Sequence, residues 1–361
     1  MTQSAYIHIP FCKSKCKYCS FISYVKEDSL DEYIKALISE IEHFYKNETL
    51  NTVYFGGGTP SLLPPSYIRK ILDKLNTEPS AEITFEINPD DANLKYLTAL
   101  KTTGVNRLSF GAQSFNDEIL SHIGRRHNAS DTINAVKSAQ DSGFENISLD
   151  LIYGLPNQTL DLLEADTEII KSLKPQHIST YGLKIEQNSY FGRNLPENLP
   201  DDDTQADMYI FLNEIFNEME FNRYEVSNFA LKGFESKHNL NYWENNEYYG
   251  FGAAAHGYTE GKRYSNKTNL QEYISNPFEH KTSHIVTEEE KLEEEIFLGL
   301  RKESGIDTTK INKKFNIDFD EKYKTVLDNY SPKYIAKTDR GYKLTLDGTL
   351  ISNLILADFL T

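Results

Sequence analysis

Cys12-Lys13-Ser14-Lys15-Cys16-Lys17-Tyr18-Cys19 holds every cysteine of the 361-residue chain within eight positions. An odd number of thiols packed this closely argues against a disulfide framework and for a bound inorganic centre. With the spacing C-x3-C-x2-C, three soft thiolates on one tight loop ligate three irons of a cubane and leave the fourth iron without a protein ligand. Two other readings stay open on spacing alone: three idle thiols, or a zinc site completed by His8 four residues upstream.

Working outward, the loop follows a short β-rich segment, residues 6–9. Similar segments recur at 52–55, 83–87, 107–110, 146–152 and 177–181, each with the β-branched or aromatic character of a buried parallel strand. Between them apolar residues recur at helical spacing. Tyr33, Leu37, Ile41 and Phe44 follow a Ser29-x-x-Glu32 capping box. Ile68, Ile71 and Leu75 follow Pro65, and Leu160, Leu163, Ile170 and Leu173 form another set. Six βα units predict an α/β fold, a partial (β/α)6 barrel, with reactive groups at the C-terminal ends of the strands. Cys12, Gly56-Gly57-Gly58, Asn88-Pro89 and Gln113 all fall at such ends.

After Tyr181 an insertion rich in Asn, Tyr and Phe runs through Pro196 and Pro200 to a helix near 204–220. The expected division is a barrel over residues 1–230, a connecting segment over 231–284, and a small winged-helix-like domain over 285–361. The last contains a helix at 288–301 and a hairpin turning at Asp339-Arg340-Gly341. Hydrophobic residues make up 39% of the chain, enough for a sizeable core, and the net charge is −16. That charge disfavours nucleic acid as a partner. No long apolar run and no signal-like N-terminus is present, so cytoplasm is the expected compartment.

An iron left open by three cysteines can chelate the amino and carboxylate groups of S-adenosylmethionine (SAM), and an electron from the cluster then cleaves its sulfonium C–S bond. Around the cysteines stand Tyr6-Ile7-His8-Ile9-Pro10-Phe11, Tyr54-Phe55-Gly56-Gly57-Gly58-Thr59-Pro60, Glu86-Ile87-Asn88-Pro89, Arg107 to Phe115, and Asp150-Leu151-Ile152-Tyr153-Gly154-Leu155-Pro156. In this order, over nearly the whole chain, the set resembles the oxygen-independent coproporphyrinogen oxidase family of radical SAM proteins. The resemblance implies a [4Fe–4S] cluster on Cys12, Cys16 and Cys19. It also implies SAM contacts from Tyr6, Gly57, Gly58, Thr59, Glu86, Gln113, Arg125 and Asp150, with Tyr18 at the adenine. Strand-end glycines let backbone approach a ligand, and Arg125 suits a bidentate grip on a carboxylate.

The family divides into the oxidases, which decarboxylate propionates of coproporphyrinogen III, and shorter relatives regarded as heme chaperones. Three features resemble the second branch. Only eleven residues precede Cys12, Phe21 stands where the oxidase has a fourth cysteine, and His238-Asn239-Leu240-Asn241-Tyr242-Trp243 matches its HNxxYW signature. The resemblance therefore implies heme as cargo with His238 as axial ligand and His256 as the second candidate. It further implies an unidentified heme-acceptor protein and an electron donor. Acceptors at a membrane would allow peripheral contact there, although no basic amphipathic helix advertises it. His8 is expected beneath the cluster loop and not on a metal.

Overall fold

The barrel strands have two unlike faces. In the computed structural model, which describes residues 2–25 and 28–360, Ile7, Ile9, Val53, Phe55, Phe85, Leu108, Phe110, Leu149 and Leu151 are buried in one continuous core. Their alternate neighbours, including Tyr6, Tyr54, Thr84, Glu86, Ser109, Asp150 and Ser179, point to the opposite face because side chains alternate along a strand. The inner face is thus lined with polar groups, on strands whose sequence has the β-branched or aromatic character of buried parallel strands.

The strands are β1 (Ser4–Ile9), β2 (Leu50–Gly57), β3 (Thr77–Ile87), β4 (Arg107–Gln113), β5 (Ile147–Tyr153) and β6 (His177–Gly182). They lie side by side in chain order, all parallel. Helices α1 (Leu30–Phe44), α2 (Pro65–Leu72), α3 (Leu94–Lys101), α4 (Asp117–His122), α5 (Ala129–Asp141) and α6 (Leu160–Leu173) return the chain between them. This is the partial (β/α)6 barrel of the expectation. Ser29 does precede α1, but its side chain makes no capping hydrogen bond. Capping boxes form instead at Asn128/Asp131 and Thr287/Glu290.

Beyond β6 come α7 (Tyr190–Arg193), α8 (Asp202–Glu218), β7 (Asn222–Arg223), β8 (Asn228–Ala230), α9 (Lys237–Trp243) and β9 (Tyr249–Phe251). β8 joins β6 antiparallel on one side of the sheet, and β9 joins β1 parallel on the other. The boundary expected at residue 230 therefore does not end the barrel: residues 249–251 complete its far edge. Glu40 of α1 fixes this closure, since its buried carboxylate accepts from Gly252 N–H at 2.8 Å, Asn266 Nδ2 at 2.6 Å and the Tyr273 hydroxyl at 2.5 Å.

A three-stranded antiparallel sheet, β10 (His256–Thr259), β11 (Lys262–Asn266) and β12 (His280–Ile285), leads to the C-terminal unit. That unit has its own core of Leu292, Ile296, Leu300, Phe319, Tyr323 and Ile355. Its helices surround a small sheet in which Ile335–Lys337 and Gly341–Leu344 form the expected hairpin. Among the described residues no helix is long and apolar enough to cross a membrane.

Candidate functional site

At the C-terminal ends of the strands the polar inner face opens into a cavity of about 530 Å³. Its wall includes Cys12, Cys16, Tyr18, Cys19, Gly57, Gly58, Thr59, Glu86, Gln113, Arg125 and Asp150. Of the sequence candidates, Tyr6, His238 and His256 are not on that wall. Tyr6 stands one step behind it, with its hydroxyl 3.0 Å from His8 Nδ1 and its ring stacked on Tyr54, which is on the wall.

The cysteine loop is held from both sides by backbone. Cys12 N–H donates to Tyr24 O at 2.9 Å, and Lys17 N–H donates to Ile123 O at 3.0 Å. Side chains of the cavity reach the thiols: Thr59 Oγ1 lies 3.4 Å from Cys12 Sγ, and Arg125 Nη1 lies 3.4 Å from Cys16 Sγ. All three cysteines are free thiols, and burial pushes the Cys19 thiol up.

Opposite the loop, the glycine run lies directly on β1. Gly57 has φ +115°, and a Cβ there would come within 2.6 Å of the His8 ring, so backbone flatness is required at this point. Gly57 N–H donates to Glu86 Oε2 at 3.2 Å, and the Tyr54 hydroxyl donates to Oε1 at 2.8 Å. Burial raises the Glu86 carboxyl to about 7 despite those two donors. Asp150 accepts from Ser109 Oγ at 3.0 and 3.1 Å and from Ser148 Oγ at 3.3 Å, and burial raises it too.

Arg125 and Arg126 diverge. Arg126 turns to Asp90 at 2.8 Å. Arg125 is buried at the cavity and donates through Nη2 to Asn88 Oδ1 at 2.8 Å and Gly111 O at 2.7 Å. Its Nε is buried without a partner. Asn88, which also reaches Thr59 Oγ1 at 3.3 Å, is a wall residue that sequence reading left as a mere strand end. Its position two beyond Glu86, before a proline, was the available signal. Tyr54, Ser109 and Tyr181 on the wall were likewise missed.

Residues 6–169 match the radical SAM superfamily model, and residues 286–351 match the HemN C-terminal domain. The heme chaperone HemW of Bacillus subtilis is 40% identical over 99% of both chains, and that of Lactococcus lactis is 40% identical over 94% of both. The chain belongs to the HemW-type family of radical SAM proteins. The solved structure of the Escherichia coli coproporphyrinogen III oxidase HemN superposes with a TM-score of 0.88 over all of this chain and 90% of the other, at 22% identity, which shows the shared fold.

Membership of the radical SAM superfamily implies a [4Fe–4S] cluster and SAM, and the wall fits both. Among the described residues no three Cys, His, Asp or Glu side chains converge as a single-ion site. Three thiolates that each bind a different iron of a cubane need no such common point. His8 is not available as a fourth zinc ligand, since its nitrogens face Tyr6 and, at 3.5 Å, Ile22 O. The orphaned Arg125 Nε and the two buried carboxylates supply the anion- and cation-seeking groups that an amino acid terminus with an adenosine demands.

In this HemW-type chain the HNxxYW motif, from which His238 was expected to ligate heme, lies away from that cavity. The motif forms α9, which plugs the opposite end of the barrel. His238 is 1% exposed. Nδ1 is 2.8 Å from Thr52 Oγ1, Nε2 is 2.8 Å from the Tyr242 hydroxyl, and the ring stacks on Tyr54 at 5.1 Å. Burial holds its pKa down at about 3. An axial ligand needs one free nitrogen facing open space, and the seated helix offers neither. Glu82 anchors the seat by accepting from the His238 and Lys237 N–H groups, both at 3.1 Å. His256, by contrast, is exposed at the start of β10.

Proposed function

We propose that this protein is a radical SAM heme chaperone that binds heme and passes it to an acceptor protein. The observation that carries the reading is the gathering of three free thiols, a glycine cradle and Arg125 around one cavity in a chain that matches HemW heme chaperones from end to end. A [4Fe–4S] cluster on Cys12, Cys16 and Cys19, with SAM at its open iron, supplies reductive cleavage of the sulfonium when bound.

The chain's own residues do the rest. Arg125 grips a carboxylate beside Cys16, and Glu86 accepts from an ammonium held over Gly57 and Gly58. Asp150, steadied by Ser109 and Ser148, accepts from ribose hydroxyls, with Tyr18 and Gln113 closing the adenosine end. Tyr6 acts through His8 and Tyr54, keeping the floor of the cradle flat. The three unpaired thiols suit the reducing cytoplasm.

For heme, the geometry favours His256 over His238. His256 is an exposed residue that follows the small residues Gly252, Ala253, Ala254 and Ala255, while His238 has both nitrogens occupied. Heme titration of anaerobically reconstituted protein, followed at the Soret band, tests this beside an assay for coproporphyrinogen turnover. Stoichiometric binding that is lost in His256→Ala and kept in His238→Asn, without protoporphyrinogen formation, is expected. Binding lost only in the His238 variant returns the axial role to α9 and demands that the helix unseat. Turnover without heme binding overturns the chaperone reading.

A further inference from the structure

A guanidinium buried inside the barrel lacks a carboxylate partner. Arg69, Arg126, Arg223 and Arg263 each form an ion pair with Asp or Glu, whereas Arg107 forms none among the described residues. It is 2% exposed, and its Nε is buried without a hydrogen-bond partner. Thr84, its register partner on β3, has an unpartnered buried hydroxyl as well. Taking a permanent charge out of water is costly unless an opposite charge answers it, and arginine cannot shed its proton to escape. An apolar side chain in such a place is often as stable or more so, and fold stability therefore gives no reason for the charge.

Arg107 shares the inner face of β4 with Ser109, whose Oγ donates to Asp150 at 3.0 and 3.1 Å. Asp150 and Glu86 line one cavity, and burial raises both. Their surroundings then differ. Against burial at Asp150 act the hydroxyls of Ser179 and Ser109, the Arg107 charge and the Ser148 hydroxyl. At Glu86 the Tyr54 hydroxyl and the Gly57 N–H oppose burial, the Asp150 charge adds to the rise, and the carboxyl reaches about 7. The other ionisable neighbours do not replace Arg107. Burial keeps Tyr54 of β2 and Tyr181 of β6 as neutral phenols beside Asp150. His177 and His238 are held neutral by burial and by the Arg107 charge, and burial does the same for Tyr224. Glu82 is taken by the N–H groups of Lys237 and His238 at 3.1 Å.

We propose that Arg107 is a positioning residue for SAM, the buried counter-charge that keeps Asp150 ionised in preference to Glu86 and so selects ligands that carry a ribose diol. The inference rests on the reading of Asp150 as the acceptor for ribose hydroxyls. An ionised carboxylate accepts from both hydroxyls of a diol, whereas a protonated one spends an oxygen on its own hydrogen. Paired carboxyls in unlike surroundings divide their roles in this way. Arg107 is not on the cavity wall, so it acts through Asp150.

The test is equilibrium dialysis of full-length reconstituted protein with SAM, with 5′-methylthioadenosine, which keeps the ribose and lacks the amino acid, and with S-methylmethionine, which keeps the sulfonium amino acid and lacks the ribose. At about pH 7, Arg107→Met lowers affinity for SAM and methylthioadenosine about 10-fold, the effect of a one-unit rise at Asp150, and leaves S-methylmethionine at its wild-type affinity. The loss shrinks as pH rises to about 9, because a carboxyl raised in the variant ionises there and the grip returns. Arg107→Gln, polar but uncharged, behaves as the Met variant does and serves where the apolar side chain is not accommodated. Arg107→Lys keeps the charge and most of the affinity. In an Asp150→Asn background Arg107→Met causes no further loss, since the group it acts on is gone. Wild-type affinity for methylthioadenosine in the uncharged variants overturns the proposal. So does an equal loss for S-methylmethionine, a loss that persists in the Asp150→Asn background, or one that is flat with pH. Should Asp150→Asn alone leave methylthioadenosine binding intact, the ribose reading of the site fails instead.

Discussion

The two ends of the barrel are built from the same residue types and behave oppositely. At the floor, His238, His177, Tyr224, Tyr242, Thr52 and Glu82 meet one another: His177 Nδ1 is 2.8 Å from Ser148 Oγ and Nε2 is 2.8 Å from the Tyr224 hydroxyl. Among the described residues, Arg107 Nε, Thr84 Oγ1 and, just before β5, Asn146 Oδ1 are buried without partners. At the rim, Cys12, Cys16, Arg125, Glu86 and Asp150 converge on open space. Saturated polar groups specify a structure, whereas convergent groups with spare valence specify a ligand. Residue type alone does not separate the two.

Cysteine removal breaks the rim most completely. Cys16→Ala leaves two thiolates and takes a partner from Arg125, so iron and sulfide content after reconstitution falls to background while the melting temperature of the apoprotein moves little. At the floor the effect reverses. Glu82→Ala leaves the buried His238 N–H without its acceptor and takes the Lys237 N–H's acceptor as well, a cost of about 1–3 kcal/mol. Chemical denaturation reads this as a lower midpoint, with SAM affinity retained.

Arg125→Lys sharpens the contrast, because it keeps the charge and removes the fork. SAM affinity measured by equilibrium dialysis falls by about 10- to 100-fold, the range expected for losing one charge-assisted hydrogen bond. The smallest effect is on pH. Glu86 is raised from 4.5 to about 7, so its protonated form is the one the empty fold favours, and the stability it contributes is present below about 4.5 and lost as pH rises to 7. An ammonium ligand selects the ionised form. SAM affinity therefore rises up to tenfold per pH unit below 7 and levels off above it, and Glu86→Gln removes the slope.

How much of this was legible follows the same division. The rim was readable because its residues are short-range signals at strand ends: a cysteine cluster, a triglycine, Glu86 before Asn88-Pro89. The floor was not readable, because His238 is satisfied by Thr52 and Glu82, which lie 186 and 156 positions away. A histidine beside aromatic residues reads the same whether it faces solvent or seals a barrel. β9 escaped for a related reason: three residues, Tyr249–Phe251, carry no periodicity, and only pairing with β1 makes them a strand. The polar inner face was hidden because residues such as Thr84, Ser109 and Ser148 keep β character without apolarity.

The pairing of β1 between β2 and β9 sets an order of assembly. On the ribosome β1 can find its first neighbour once residue 57 emerges, but its second flank stays bare until residue 251 has been made. Such a delayed long-range contact is slow to form and leaves an adhesive edge in the nascent chain. The strand from which the cysteine loop hangs is therefore flanked on both sides only after residue 251 has been made, although the loop's own backbone contacts, to Tyr24 and Ile123, involve earlier residues.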